Sequence, residues 1–449
     1  MEELKIRDEA KNPELKEYVL IQHTEHIHFQ AHEKGACLRG TEVKPKLDKF
    51  ISCFCNKNNI VLPESCYLKQ SGEEITALNY STSIYPVKVS TDGKYAKFNI
   101  PSAKQTAYFG NEGNEENVVK KESVLYPDGL ILGIHCCKQQ IDVHVGDCSF
   151  KSLMELIDYV LPAFFTLTCF GTRSTKGFGS YEIKEKQKRL PDDKNYLLQF
   201  VPVIYYLTFT EKNVEMLEII KIISNMMKAG LNYSFQNKND DPSDDFYYKG
   251  RIFRYFTKYK VGSEKAFMKQ NIFQEIDTHP ENEEKKQYSD FYYNRGILGL
   301  APSYEFRKKN NITIEVNVKD SESNKICIER FNNPIHFKPN GNNLLIIPTD
   351  IPEIMGSHTF IFDFKENKGK KPDKGNKNKY SKCLTTPAVN KSKDVDPGKG
   401  EFNLEAFLDY FMNEYNSEKD MISSKHKIKK MFWKLTYKNK LVKMNKVGV

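Results

Sequence analysis

The chain contains 449 residues, of which 39% are hydrophobic and 28% charged, and this length predicts two or three globular domains. No stretch reaches the roughly 18 to 20 uncharged apolar residues of a membrane-spanning helix, and Met1 is followed by charged residues instead of a signal-peptide core. We therefore expect a cytoplasmic protein with reduced cysteines and no membrane partner, whose net charge of +9 permits an anionic partner without proving one.

The first half of the chain alternates between strand and helix patterns. In chain order these patterns predict a strand at 18–22, a helix from 43 to 54, strands within 76–98 and at 130–134, a helix over 153–165 and a strand at 180–184. Thr41 is placed to cap the first helix. The order β-α-β-β-α-β is typical of a ferredoxin-like domain, an antiparallel sheet with helices on one face.

The second half begins after a polar segment at 187–194 and repeats the strand–helix start, with the helix closing at Gly230. Its second sheet is predicted from strands at 311–318, 333–338, 344–347 and 359–364. We therefore predict an α+β protein with two ferredoxin-like (RRM-related) domains, followed by a basic loop and a helical extension. The predicted bounds are 1–186, 195–364, 365–400 for the flexible basic loop and 401–449 for the extension.

The most informative motif lies between the second helix and the next strand and reads Gly171-x-Arg173-x-x-Lys176-Gly177-Phe178-Gly179. Its glycines permit positive φ, so that several main-chain N–H groups can converge on phosphate oxygens, while the two basic side chains add charge. A Walker A loop is excluded because these glycines precede a strand instead of a helix. An ordinary glycine-rich turn is the alternative that spacing alone leaves open.

A second basic segment opens the first helix and reads Arg39-Gly40-Thr41-Glu42-Val43-Lys44-Pro45-Lys46. A helix N-terminus offers N–H groups and the positive end of the helix dipole, which with these basic side chains suit a nucleic-acid backbone. A capped, solvated helix start without a ligand is the alternative.

Together the two segments resemble the RAMP superfamily of CRISPR-associated RNA-binding proteins. Two further segments, 295–302 and 329–339, are similar to motifs of the two-domain RAMP subunit family at the head of the type III-B (Cmr) effector complex. The resemblance implies a non-catalytic subunit that holds guide RNA (crRNA) and complementary target RNA in antiviral defence. It implies other CRISPR effector subunits as partners and no cofactor.

The RNA contacts expected from these four segments are Arg39, Gly40, Thr41, Lys44, Lys46, Gly171, Arg173, Lys176, Gly177, Phe178, Gly179, Arg295, Arg330, His336 and Lys338. Phe178, Tyr181 and Phe331 are candidates for base stacking, although burial of these aromatic residues in a sheet is the favoured interpretation. The basic loop 365–400 is expected to add a salt-dependent, sequence-independent contribution, unless it is only a solvated insertion.

A cluster of histidines leaves an enzymatic alternative open. A neutral imidazole can act as general base on an RNA 2′-OH, so His26, His28 or His32 could serve a metal-independent endoribonuclease that processes precursor guide RNA. No metal is expected, because no Asp or Cys follows at a spacing that completes a ligand set. Asp128 is interpreted as a turn residue instead of a catalytic one. A free-standing RNA-binding regulator is a third possibility.

Overall fold

The computed structural model describes residues 14–28, 38–68, 77–87, 97–99, 122–136, 139–184, 194–209, 215–233, 246–271, 288–300, 303–306, 312–318, 331–365, 381–417 and 439–445. Their α-helices are Gly40–Lys57 (α1), Leu153–Leu167 (α2), Lys194–Leu197 (α3), Met216–Met227 (α4), Arg251–Thr257 (α5), Glu264–Asn271 (α6) and Leu404–Ser417 (α7). Short 3₁₀ helices cover Glu64–Cys66, Asn294–Leu298, Glu353–Met355 and Pro397–Lys399. No helix in these ranges is long and apolar enough to cross a membrane.

The strands up to residue 250 are Glu14–Gln22 (β1), Tyr80–Pro86 (β2), Lys97–Asn99 (β3), Glu122–Val124 (β4), Leu130–Cys136 (β5), Gln140–Val145 (β6), Cys148–Ser152 (β7), Tyr181–Ile183 (β8), Val203–Thr208 (β9), Leu231–Tyr233 (β10) and Phe246–Tyr248 (β11). The later strands are Val261–Ser263 (β12), Asp290–Tyr292 (β13), Ser303–Phe306 (β14), Ile312–Val318 (β15), Ile335–Asn340 (β16), Asn343–Pro348 (β17), Thr359–Lys365 (β18), Ser381–Thr385 (β19), Ala388–Val389 (β20), Glu401–Phe402 (β21) and Val442–Asn445 (β22).

The first sheet has the strand order β2-β5-β1-β8, and all its neighbouring strands are antiparallel. Along the chain its elements follow the order β1, α1, β2, β5, α2 and β8, which confirms the predicted strand and helix sequence. Two small antiparallel pairs, β3–β4 and β6–β7, lie between these elements in the chain.

One face of this sheet forms the first core. Alternation along β1 buries Tyr18 and Leu20, which join a cluster with the apolar faces of α1 and α2. Helix α2 begins after Ser152, whose hydroxyl accepts a hydrogen bond from the Glu155 N–H at 3.2 Å. Helix α2 also buries Ala163 and Leu167 in a second cluster, with strands β9, β17 and β22. Because it packs against both clusters, this helix is apolar on almost all sides.

The second sheet has the order β16-β17-β9-β22, and β9 is antiparallel to both of its neighbours. Helix α4 follows β9, and after it Gly230 takes φ +84° and donates its N–H to the Asn225 carbonyl at 2.6 Å. The predicted closure at Gly230 is confirmed. In order of occurrence, the four strands of this sheet are arranged 2-3-1-4, as are those of the first sheet.

The predicted membership of the second sheet is wrong for two strands. Strands β15 and β18 pair with each other, from Thr313 opposite Lys365 to Val318 opposite Phe360, in a separate antiparallel sheet of order β14-β15-β18-β19. They cannot extend the sheet at β9, because both edges of β9 are already paired, with β17 and β22. The protein is α+β with mainly antiparallel sheets, and β12–β13 and β20–β21 are short parallel pairs.

The chain divides into two compact units. Unit 1 consists of Met1–Lys221, His336–Ile347 and Val442–Val449, and it contains the first two sheets. Unit 2 consists of Ile222–Ile335 and Pro348–Leu441. These bounds differ from the sequence-derived domains 1–186 and 195–364, because β9, β16, β17 and β22 come from three distant parts of the chain and pair in one sheet.

Part of the predicted flexible loop is ordered by pairing. Strand β19 is antiparallel to β18, with Thr385 opposite Thr359, and the Leu384 side chain is buried. This corrects the prediction of a flexible loop for residues 381–400, whereas 366–380 lie outside the described residues. The C-terminal extension contains helix α7 and also strand β22.

Candidate nucleic-acid interface

The glycine-rich loop connects α2 to β8 and has the backbone that its glycines predict. Gly171, Gly177 and Gly179 take φ values of +77°, +83° and +64°, and Arg173 takes +59°. A Cβ at Gly179 would lie 2.1 Å from the Phe170 carbonyl oxygen, and one at Gly171 would lie 2.4 Å from the Ile27 carbonyl oxygen. Glycine is therefore required at both positions by conformation and by space.

The loop N–H groups are used inside the protein. The Thr172 N–H donates to the Ile27 carbonyl at 2.9 Å, and the Gly179 N–H donates to the Glu25 carbonyl at 2.8 Å. Further donors within the loop are the N–H groups of Lys176, to Arg173, and of Gly177, to Ser174. These N–H groups already have partners within the protein, so the predicted phosphate cradle would have to use the other N–H groups of the loop and its basic side chains.

Strand β16 packs against the other side of the loop. The Phe337 N–H donates to the Thr175 carbonyl at 3.0 Å. Lys338 is 1% exposed and donates from Nζ to the carbonyls of Thr168 and Tyr181 at 3.0 and 2.8 Å. Burial lowers the Lys338 pKa to about 8, against the opposing effects of Cys169 and Glu182. Lys338 therefore joins β16 to β8 and is not exposed to RNA.

The aromatic side chains of the loop region are also internal. Phe178 is 1% exposed and Tyr181 is fully buried, so both follow the favoured interpretation of buried aromatic residues, and Phe178 is not exposed to RNA as its predicted contact requires. Phe331 is half-buried and stays a prediction. His336 is half-buried, and burial together with the nearby Lys46 charge lowers its pKa.

The N-cap of helix α1 lies two residues earlier than predicted. Arg39 is the residue at its N-cap, with φ −111° and ψ 147°, and makes no side-chain capping bond. Thr41 is exposed inside the first turn, so its predicted capping role is wrong. Gly40 packs so closely on β2 that an added Cβ would lie 2.4 Å from the Thr82 carbonyl oxygen.

The two lysines at the start of α1 donate hydrogen bonds to other groups of the protein. Lys44 donates to Asp48 at 2.7 Å and to the Leu78 carbonyl at 3.0 Å. Lys46 donates to the Cys169 carbonyl at 3.2 Å and lies 4.8 Å from the centre of the Phe170 ring. Both charges already have partners within the fold, which reduces what they offer to RNA.

The structure brings the start of α1 and the glycine-rich loop together. The Gly171 N–H donates to Glu42 Oε1 at 2.5 Å, three residues after Arg39. Arg39 is exposed, while Arg173 and Lys176 are half-buried. Burial, and then the Arg173 charge, lowers the pKa of Lys176. These three residues, Arg39, Arg173 and Lys176, are named the basic arc.

Two side chains that follow β1 have structural roles that the sequence analysis missed, and one of them, Thr24, fixes the loop. The Thr24 hydroxyl donates to the Gly177 carbonyl at 2.6 Å and accepts from the Ser180 N–H at 3.1 Å. His23 lies 3.1 Å from Glu182 and accepts from the Gly341 N–H at 3.3 Å. Nothing in the local pattern marks these residues. The Glu42–Lys46 pair, by contrast, has the i,i+4 spacing of a helical ion pair and could have been predicted from the sequence.

Two histidines of the predicted cluster, His26 and His28, are buried. His26 is fully buried, its backbone pairs with Val124, and its two ring nitrogens have no hydrogen-bond partner among the described residues. His28 is 8% exposed, and the two ring centroids are 6.3 Å apart. A general base must reach its substrate, so the assignment of His26 as catalytic is wrong. His32 lies outside the described residues.

The burial of His26 predicts a specific acid sensitivity. Burial, then the charges of His28 and Lys46, lowers its pKa to about 3. Between about pH 6.5 and 3 the unfolded chain binds a proton at His26 that the folded chain does not, so stability falls as pH falls. The wild type should lose up to about 1.4 kcal/mol per pH unit relative to His26→Phe. Urea denaturation of both proteins at neutral and mildly acidic pH measures this difference, and parallel pH profiles would contradict it.

The remaining residues that the sequence analysis singled out lie in unit 2, in a turn of unit 1 or outside the described ranges. In unit 2, the guanidinium carbon of Arg295 lies 4.3 Å from the centre of the Tyr304 ring, and its Nε lies 3.9 Å from Oε1 of the buried Glu264. Arg295 therefore packs among buried side chains of unit 2. Arg330 is not described. Asp128 is exposed in a turn closed by the Gly129 N–H to the Tyr126 carbonyl at 3.0 Å, as predicted. The described residues contain no group of three or more His, Cys, Asp or Glu suited to a metal.

Two family models match the chain. The model of the Cmr1 N-terminal domain matches residues 15–231, and that of the Cmr1 C-terminal domain matches residues 247–438. Together they cover most of the chain and include the loop, the start of α1 and the Arg295 segment. No curated protein matches the chain.

Proposed function

Because the chain belongs to the Cmr1 family of type III-B RAMP proteins and is a subunit of a Cmr-type effector complex, we propose that it is a non-catalytic subunit that binds RNA. The RNA is the guide together with its paired target, in antiviral defence. Base pairing between the two RNA strands supplies sequence recognition, while the protein contacts backbone and shape.

The observation that carries this proposal is the basic arc. The start of α1 and the glycine-rich loop come from positions more than a hundred residues apart, and the Gly171 N–H to Glu42 bond joins them in unit 1. Arg39 is exposed three residues before Glu42, and the half-buried Arg173 and Lys176 follow Gly171 in the loop. Three cationic side chains on two segments joined by this bond suit a phosphate backbone, whose binding needs charge more than base contacts.

The strand arrangement supports a fold proposal as well. Both sheets of unit 1 have their four strands in the order 2-3-1-4, with a helix after the first strand. We propose that each is a ferredoxin-like sheet, as expected for RAMP proteins. The second is built from β9, β16, β17 and β22, and the chain of unit 2 is inserted between its strands.

Native purification tests the proposed function. The tagged chain is isolated from its own host, and the bound RNA and proteins are sequenced and identified. We expect repeat-derived guide RNA and other Cmr-type subunits. Recovery of neither would contradict the proposal. A His28→Ala variant processed in parallel should yield RNA with the same ends, whereas altered or unprocessed ends would favour the ribonuclease alternative.

A further inference from the structure

The beginning of the glycine-rich loop is held by two side chains of α1. Glu42 Oε1 accepts the Gly171 N–H at 2.5 Å, and Lys46 Nζ donates to the Cys169 carbonyl at 3.2 Å. The two side chains are one helical turn apart and their charged groups are 3.4 Å from each other. Phe170 lies between Cys169 and Gly171 in the chain, and the centre of its ring is 4.8 Å from the Lys46 ammonium. We call this pair the Glu42–Lys46 clamp.

The charge of Glu42 is out of place for a direct contact with RNA. Its side chain is only 10% exposed, and Oε2 is buried without a hydrogen-bond partner among the described residues. Glu42 lies three residues after Arg39 and is bonded to the loop that carries Arg173. A carboxylate at this place repels phosphate, so by charge alone it weakens RNA binding. A buried carboxylate at such a place is consistent with a role in holding the backbone that carries the cations.

We propose that Glu42 is a positioning residue, which fixes the glycine-rich loop so that Arg173 and Lys176 meet the RNA backbone. Lys46, expected from sequence to contact RNA, is the second half of the same clamp. The inference rests on the proposed RNA-binding function. A loop held in its bound conformation loses less entropy on binding, and this is where the clamp contributes affinity.

The sign of the effect separates this proposal from simple electrostatics. Removing a negative charge near an RNA site strengthens binding if the charge acts only at a distance. Removing a clamp weakens binding. We therefore expect Glu42→Ala to weaken binding of a fluorescein-labelled oligouridine about tenfold, measured by fluorescence anisotropy at constant salt.

A double-mutant cycle shows whether Glu42 acts through the loop. In a background of Arg173→Ala and Lys176→Ala, Glu42→Ala should have no weakening effect, because the loop no longer presents cations. Asp48→Asn is the matched control, since Asp48 forms the other i,i+4 ion pair of α1, with Lys44 at 2.7 Å. This control should leave RNA affinity unchanged even if it lowers stability.

Each outcome decides a different point. If Glu42→Ala binds RNA as tightly as the wild type, or loses the same factor in the loop background, the positioning role is overturned. If the wild type itself binds no RNA, the proposed function fails instead. Should Glu42→Ala not fold, Glu42→Gln serves: it keeps an acceptor for the Gly171 N–H but loses the ion pair with Lys46, so a smaller weakening is expected and tighter binding would overturn the proposal.

Discussion

Replacing Gly179 with alanine is expected to lower the free energy of unfolding by about 3 kcal/mol or more. The positive φ of +64° alone costs an L-residue about 1 kcal/mol. The new Cβ would also lie 2.1 Å from the Phe170 carbonyl oxygen. The two backbones cannot separate freely, because the Phe170 N–H donates to the Gly179 carbonyl at 3.0 Å.

Gly146→Ala is the matched control for this clash. Gly146 has φ +55°, and no atom lies within 4 Å of an added Cβ. The free energy of unfolding of Gly146→Ala should therefore fall only by the cost of positive φ for an L-residue, about 1 kcal/mol. Urea denaturation followed by circular dichroism compares both variants with the wild type. Equal losses at the two positions would contradict the close packing of the loop on Phe170.

The first sheet was predictable because its signals are local. Alternation places Tyr18 and Leu20 on one face of β1, and the spacing of Val43 and Leu47 forms the apolar face of α1. The second sheet was not predictable from sequence. Strands β15 and β16 both alternate between apolar and polar residues, and no local pattern indicates which of them belongs to the sheet that contains β9. That pairing depends on an insertion, unit 2, between the strands of one sheet.

The candidate site shows the same division. Positive φ at Gly171, Gly177 and Gly179 follows from residue type, and the structure has it. The N–H groups of Gly171, Thr172 and Gly179 bond to α1 and to residues 25–27, so which loop donors are used inside the protein depends on tertiary contacts. Lys338 reads as a surface cation, yet it is buried because β16 enters unit 1 beside β8.

The second large effect concerns RNA affinity. The triple variant Arg39→Ala, Arg173→Ala, Lys176→Ala should bind RNA about 100-fold more weakly, at roughly 1 kcal/mol for each lost charged contact. The dependence of log affinity on log salt should also become shallower, by about 0.7 for each lost phosphate contact to single-stranded RNA. Circular dichroism and unchanged denaturation midpoints establish that the variant folds.

The RNA affinity of the basic-arc variant is the decisive measurement for RNA binding by this protein. Its control removes three exposed lysines of unit 1 outside the loop and the helix start, Lys57, Lys151 and Lys184. Both triple variants change the net charge equally, so general attraction to RNA weakens equally in both. We predict a loss of about two orders of magnitude in RNA affinity for the basic-arc variant and a small loss for the control. Equal affinities of the two folded variants would contradict it.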